Sequence, residues 1–435
     1  SLAVCESLGP HVRKRRCSGF RTPASTQTDI PISLNRRLKT LKIRTHRGTR
    51  RSLAAVIAAA MVASLLAVVA TPAGAAATVT TKRYSGLDRY ATAAATAEAT
   101  HATATRAILV SGENFADGLS ASILSGAANA PVFLTQASAL PAVTAAAIGR
   151  VMGTNKTIYV IGGVNAVNAG VVTTLTGLGY TVTRIAGADR AATAVEVAKK
   201  AKTFAAIGTH ASLTTAIVVN DTAYADAVVA GGISEASLLP ILLTNGSSLT
   251  AATKAAFATT SLNIKQVMIV GGTSAVSAAV EAEILADSNV SSVIRVGGTN
   301  RQDTAKKMAE KLTGTTASGG FGWAKTKATL VNSNSFADAL ASAQFNGTNT
   351  SVLLYVADTI PTETNAYISS AAVKKALTNV YAIGGTSAVP AAVLTEADAL
   401  GTYASATVTI TALEGSNVLT IVFPQHMESA DMVLA

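Results

Sequence analysis

Three short phrases recur in one order at one spacing, and this recurrence limits the fold more than any other property of the chain. Asn114-Phe115-Ala116-Asp117 returns as Ala223-Tyr224-Ala225-Asp226 and as Ser335-Phe336-Ala337-Asp338, which puts the aspartates 109 and 112 residues apart. Val160-Ile161-Gly162-Gly163 returns as Ile269-Val270-Gly271-Gly272 and Ala382-Ile383-Gly384-Gly385, and an Ala-Val pair follows each time (Ala166-Val167, Ala275-Val276, Ala388-Val389). Upstream, Gly86-Leu87-Asp88-Arg89 is matched by Gly187-Ala188-Asp189-Arg190 and Gly298-Thr299-Asn300-Arg301. A period of about 110 residues is an ordinary domain size. The chain therefore reads as three copies of one unit, 82–185, 186–296 and 297–403, with flanking segments 1–75 and 404–435.

Within the first copy, short apolar runs alternate with helical patterns. Ala107 to Ser111, Val132 to Thr135, Thr157 to Ile161 and Thr181 to Ile185 read as strands, and Gly118 to Ala128, Pro141 to Val151, Ala166 to Leu175 and Ala191 to Lys202 read as helices. Strands that are apolar at every position, separated by helices, are the pattern of a parallel sheet covered on both faces. Each copy is expected to be a small α/β module. The tail differs, because Ser405 to Phe423 alternates with period two around Glu414-Gly415-Ser416-Asn417. That is a hairpin signal, read as a β stub.

Charge is distributed unevenly. Residues 1–76 hold 13 Lys/Arg and 2 acids, and the remainder holds 22 of each, so the formal +11 belongs to the N-terminal segment. Both cysteines, Cys5 and Cys17, lie there too. A basic run from Arg36 to Arg51, an apolar stretch from Leu53 to Ala70 and the small residues Ala73-Gly74-Ala75 make a secretory signal with cleavage near Ala75. Left uncleaved, the same stretch is long enough to anchor the chain in a membrane; the Arg50-Arg51 pair also fits a twin-arginine signal. Beyond it the chain is neutral with one Trp, which excludes an electrostatic nucleic-acid binder.

The recurring residues are the candidate site. The pairs Gly162-Gly163, Gly271-Gly272 and Gly384-Gly385 end a strand before a helix, where backbone N–H groups favour an anion. Tight turning alone also calls for glycine there, and the structural reading is favoured because no GxGxxG or GxxxxGK[ST] accompanies the pairs. Asp117, Asp226 and Asp338 precede apolar helical patterns, so each reads as an N-cap or as a residue lining a groove. Arg89, Arg190 and Arg301 stand near helix starts, against the dipole, and must either pair with a protein carboxylate or bind an anionic sugar. No HExxH, CxxC or GxSxG is present, so no metal, cofactor or nucleophile elbow is expected. Features repeated three times suit a multivalent binder of a polymer.

On GLDRYATA, GENFADGLSAS, PVFLT and PILLT, and VIGG with its following Ala-Val, the sequence resembles the type 2 cell wall-binding repeat family of Gram-positive surface proteins. The resemblance runs from about Lys82 to Leu400. It implies Toprim-like or flavodoxin-like parallel-sheet modules in a pseudo-threefold triangle. It also implies a secreted, non-catalytic protein held at the cell surface on an anionic wall polysaccharide, a secondary wall polymer or teichoic-type chain, with grooves between modules as binding places. A wall-modifying amidase-type hydrolase and a surface-layer lattice protein with like neighbours are the alternatives. The third copy departs from the pattern at Gln302-Asp303, at Ser351 to Tyr355 and by an extra Gly314 to Gly322 stretch, so its groove is expected to bind weakly or to be structural.

Overall fold

A computed structural model describes residues 79–402 apart from 154–155, together with four short strands outside that span. The Leu53 to Ala70 stretch and the turn expected at Glu414 to Asn417 lie outside the described residues.

Gly74–Ala404 forms one compact unit. Its first elements are β1 (Thr80–Tyr84), α1 (Arg89–Thr100), β2 (Arg106–Ser111), α2 (Phe115–Ala128), β3 (Val132–Thr135), α3 (Ala142–Met152), β4 (Thr157–Ile161), α4 (Ala169–Gly177) and β5 (Thr181–Ile185). The second copy contributes α5 (Arg190–Lys202), β6 (Thr209–His210), β7 (Leu213–Asn220), α6 (Tyr224–Val228), α7 (Gly231–Ser237), β8 (Ile241–Thr244), α8 (Ala251–Ala258), β9 (Gln266–Val270), α9 (Ala278–Leu285) and β10 (Ser292–Val296). The third adds α10 (Arg301–Thr313), β11 (Lys327–Asn332), α11 (Phe336–Asn349), β12 (Val352–Val356), α12 (Thr362–Ile368), α13 (Ala371–Lys374), β13 (Asn379–Ile383) and α14 (Ala391–Gly401).

Three four-stranded parallel layers result, in the orders β3-β2-β4-β5, β8-β7-β9-β10 and β12-β11-β13-β1, with the short β6 antiparallel on β7. The apolar runs follow from burial on both faces. In β2, Ala107 and Leu109 enter one cluster while Ile108 and Val110 enter another, and all four are fully buried. Each such Leu or Ile contributes about 1.5–3 kcal/mol.

The third sheet takes its fourth strand from the start of the unit. β1 pairs in parallel with β13, from Thr80 on Asn379 to Tyr84 on Ile383. Its neighbour in sequence, α1, packs instead on β3 of the first sheet. The three modules are therefore closed into a ring by the chain itself.

Helices α2, α7 and α11 pack on one another at the centre of that ring. The aromatic residue two positions before each recurring aspartate sits on its axis: the Phe115 and Tyr224 rings are 5.6 Å apart, and each lies 6.1 Å from Phe336. This contact of three equivalent residues makes the arrangement a pseudo-threefold triangle. The hub helix is continuous in the first and third copies and broken into α6 and α7 in the second. The break leads into Gly231 and Gly232, whose missing side chains let the backbone approach Ala343 and Asn346 of α11. Elsewhere in the ring, the Gln344 side chain pairs with both backbone groups of Val132 on the edge strand β3.

A separate unit comprises 1–73 and 405–435. Its described strands form an antiparallel sheet in the order Leu34–Asn35, Leu38–Arg44, Val418–Phe423, Thr409–Ala412. The last two pair as the hairpin expected of the tail. Leu38–Arg44, part of the basic leader in sequence, is a strand paired with Val418–Phe423.

Candidate functional site: the junctions between modules

The recurring arginines begin helices. Asp88, Asp189 and Asn300 are the N-caps, each side chain accepting the backbone N–H three residues on, so Arg89, Arg190 and Arg301 are the first helical residues of α1, α5 and α10. Their position against the dipole has a local reason. Arg89 Nη1 donates to the Gly112 carbonyl at 2.7 Å, Arg190 Nη1 to Asp221 at 2.8 Å and Arg301 Nη1 to Ser333 at 2.7 Å, in each case at or just past the end of the module's central strand. Two also lie over hub rings of the preceding module, Arg89 on Phe336 at 5.2 Å and Arg301 on Tyr224 at 5.8 Å.

The aspartates do not cap helices, contrary to one reading of the sequence. The hub helices start earlier, at Phe115, Tyr224 and Phe336, which places Asp117, Asp226 and Asp338 in the first turn. Their carboxyls face the first glycine of each pair. A Cβ on Gly162, Gly271 or Gly384 would lie 2.5, 3.2 or 3.0 Å from the aspartate Oδ2. Those three glycines also have φ of 103°, 126° and 115°, a conformation that only glycine adopts without strain. The second glycines differ from one another: Gly163 has open space around it, whereas a Cβ on Gly272 would meet the Gly298 carbonyl at 2.7 Å. A Cβ on Gly385 would come no nearer than 3.9 Å to the Ser387 hydroxyl.

Each aspartate feels the charge of the arginine of the next module without forming an ion pair with it. Burial raises the Asp117, Asp226 and Asp338 carboxyls above the usual range; hydrogen bonds from Thr304 to Asp226 and from Ser335 to Asp338, and then the charges of Arg190, Arg301 and Arg89 respectively, oppose that rise. The pairs run first to second, second to third and third to first module, which repeats the ring.

At the second-to-third junction a cleft of about 390 Å³ opens. Asp226, Gly272, Ser274, Thr299, Arg301 and Gln302 are among its walls. Asp226 Oδ1 is buried and has no hydrogen-bond partner. The cleft thus sets a guanidinium, which donates, beside a carboxylate side chain, which accepts. Those are complementary needs of a saccharide that carries an anionic group, since hydroxyls donate and the anion accepts. Among the described residues no group of three His, Cys, Asp or Glu side chains could hold a metal ion.

A second arginine row went unnoticed in the sequence. Arg83, Arg184 and Arg295 lie on the fourth strand of each sheet and clamp the Gly-Gly turn. Arg184 donates to the carbonyls of Gly162, Gly163 and Val167 at 2.6, 3.1 and 2.7 Å. Arg83 makes the same bonds to Gly384, Gly385 and Val389, and Arg295 bonds Gly271 and Val276 and pairs with Glu281 at 2.7 Å. The signal was available as Arg-x-x-Gly-x-x-Arg in all three copies.

Parallel α/β modules, joined in a ring through the β1–β13 pairing and the contact of three equivalent hub aromatics, define a tandem-module protein. The chain belongs to the Cell wall binding domain 2 (CWB2) family, which it matches over residues 83–172, 184–281 and 295–394. It is 33% identical over 172 residues to the N-acetylmuramoyl-L-alanine amidase LytC of Bacillus subtilis (strain 168), a match covering 40% of this chain and 32% of that protein. Among solved structures it resembles Cwp8 from Clostridium difficile, with TM-score 0.62 and 24% identity over 84% of this chain and 60% of that one. It also resembles Cwp6 from the same organism, with TM-score 0.64 and 20% identity over 75% of this chain and 49% of that one. The chain thus spans only part of each of these relatives.

Proposed function

We propose that this protein attaches non-covalently to an anionic cell wall polysaccharide of a Gram-positive bacterium, and that Arg89, Arg190, Arg301 and their partner aspartates line the binding places. Membership of the wall-binding family supports the wall as target. The cleft lined by Arg301 and Asp226 is the observation that carries the site. The neutral charge of residues 77–435 means that attraction is local to such clefts and not a bulk property of the chain. The basic and apolar segment up to Ala75 is proposed as the leader that exports the protein, leaving it outside the cell.

Co-sedimentation with purified native cell walls tests this. Protein is expected in the pellet with native walls, in smaller amount at high salt, and in the supernatant once the secondary polymer has been extracted. Equal recovery in all supernatants contradicts the reading. The similarity to an amidase supports a second reading, a wall hydrolase. Release of soluble muropeptides from walls by the purified chain would establish that one, and sheet formation without walls, seen by light scattering, would establish a lattice protein.

A further inference from the structure

A cleft of about 490 Å³ opens at one pole of the first module, and all its walls belong to that module. It lies where β2 and β4 begin, at Arg106 and Lys156, whereas Arg89 makes its junction contact past the other end of β2, at Gly112. At about 3.3 Å per strand residue the two places are roughly 20 Å apart. Arg106, Arg150 and Lys156 give the cleft its charge, and Thr103 and Thr105 add hydroxyls. Glu98 meets Arg150 at 2.6 Å. Arg106 and Lys156 meet no carboxylate or carbonyl among the described residues. The Arg106 guanidinium instead lies 4.9 Å from the centre of the Phe204 ring, and Lys200 stands 5.2 Å from the same ring. A guanidinium laid on a ring keeps its N–H edge for another partner.

Helix ends do not account for these cations. α2 and α3 finish at this pole, and the carbonyls at a helix C-terminus favour a positive charge. In the third module Lys327 serves that need, donating to the carbonyl of Asn349, the last residue of α11, at 3.0 Å. Arg106 holds the same place in strand register, opposite Thr157 as Lys327 is opposite Asn379, yet it turns to a ring. Nor do the other modules share the set. At the positions of Arg106, Arg150 and Lys156 the second module has Thr215, Thr259 and Lys265, and the third has Lys327, Ser370 and Thr378. Each of those modules places one cation where the first places three.

We infer that this pole of the first module is an anion site separate from the junctions, and that it takes a phosphate ester group. A guanidinium edge, an ammonium and two hydroxyls offer more donors than the two oxygens of a carboxylate use well, and a phosphate presents more acceptor oxygens. Resting on the wall-polymer reading, the source of that group is a phosphodiester of the wall polymer. A polymer already held at a junction brings further phosphates to the pole at high effective concentration.

Amine modification of the purified chain, read lysine by lysine by mass spectrometry, tests the site directly. Glycerol phosphate is expected to protect Lys156 and to leave the exposed Lys254 of the second module unprotected. Acetate at equal ionic strength is expected to protect Lys156 far less. In Arg106→Gln, checked for an unchanged melting transition, the concentration needed for protection should rise roughly tenfold, and in Arg301→Gln it should stay within about twofold. Absence of protection in the unaltered chain, equal protection by acetate, or an unchanged response in folded Arg106→Gln overturns the inference and leaves wall binding in place. The first two comparisons need no variant. Poly(glycerol phosphate) should protect Lys156 at a lower phosphate concentration than the monomer does. Protection by vesicles of phosphatidylglycerol and phosphatidylcholine, without protection by the polymer, would overturn the polymer as the source. Failure of the unaltered chain to sediment with native walls removes the wall reading, while the glycerol phosphate result decides the anion site by itself.

Discussion

Two rows of arginine run through the molecule six residues apart, and the contrast between them separates what holds the ring together from what it offers outward. Arg83 and Arg184 direct their guanidinium donors to carbonyls of the Gly-Gly turns, and Arg295 divides its own between those carbonyls and Glu281. Arg89, Arg190 and Arg301 each tie one nitrogen to a carbonyl near a strand end and stand at a junction between modules. Both rows recur with equal regularity in sequence. Recurrence alone therefore does not distinguish a clamp from a contact surface, whereas the count of satisfied donors does.

The sharpest way to break this contrast is to remove the strand that carries Arg83. Deleting Thr80–Tyr84 removes the outer neighbour of β13, which keeps its pairing with β11, and opens the ring, at an expected cost of at least about 4 kcal/mol. Hydrogen exchange should then accelerate in Asn379–Ile383 and remain slow in Thr157–Ile161. Equal acceleration in both would mean that the ring unfolds as one body and that the closure is not local to the third sheet. Next in size, Arg184→Met leaves three carbonyls without their donor and should destabilise by about 2 kcal/mol in urea unfolding. Arg190→Gln, in the outer row, should cost clearly less.

The glycine pairs offer a finer test. Gly162→Ala forces a side chain into positive φ and against Asp117, with an expected loss of about 1–3 kcal/mol. Gly163→Ala, one residue on, meets open space and should stay within about 0.5 kcal/mol. The two melting temperatures, measured side by side, check this.

A buried carboxyl at the hub gives an effect that depends on pH. Glu235 stands where the other copies have Gly126 and Gly347, and it fills the space that Gly347 leaves on α11. Burial raises its carboxyl to about 7, opposed by the Thr348 hydroxyl 3.1 Å away, and no charged group contributes. A carboxyl with a folded pKa above its ordinary 4.5 binds its proton more tightly when folded. Its contribution is complete below pH 4.5 and is lost as pH rises through 7, up to about 3 kcal/mol. Stability should therefore fall between pH 5 and 8. Glu235→Gln should flatten most of that slope, leaving the part due to Asp117, Asp226 and Asp338, which are raised in the same direction. An unchanged slope in the variant would contradict this account of Glu235.

Most of the architecture was legible because strands buried on both faces leave an apolar run with no other explanation. Val132–Thr135 and Thr157–Ile161 agree with the sequence reading to the residue. Ring closure was not legible, since Thr80–Tyr84 reads TTKRY and an edge strand half open to water carries no apolar run. The broken hub helix was missed as well, because Gly231 and Gly232 serve an approach to α11, more than a hundred residues away in sequence. Of the site, the residue types and their period were visible. Their relation was not: Asp117 feels the charge of Arg190 of the next copy and Asp338 that of Arg89 of the first, and only a closed ring brings those within reach.

The central claim is that the outer arginine row holds the wall polymer and the inner row does not. The most direct measurement replaces Arg89, Arg190 and Arg301 together by Gln and compares binding to native cell walls with that of the unaltered chain, alongside far-UV circular dichroism and melting. Loss of wall binding with the secondary structure and cooperative transition retained is the predicted result. Undiminished sedimentation of a folded triple variant with the walls would contradict the claim.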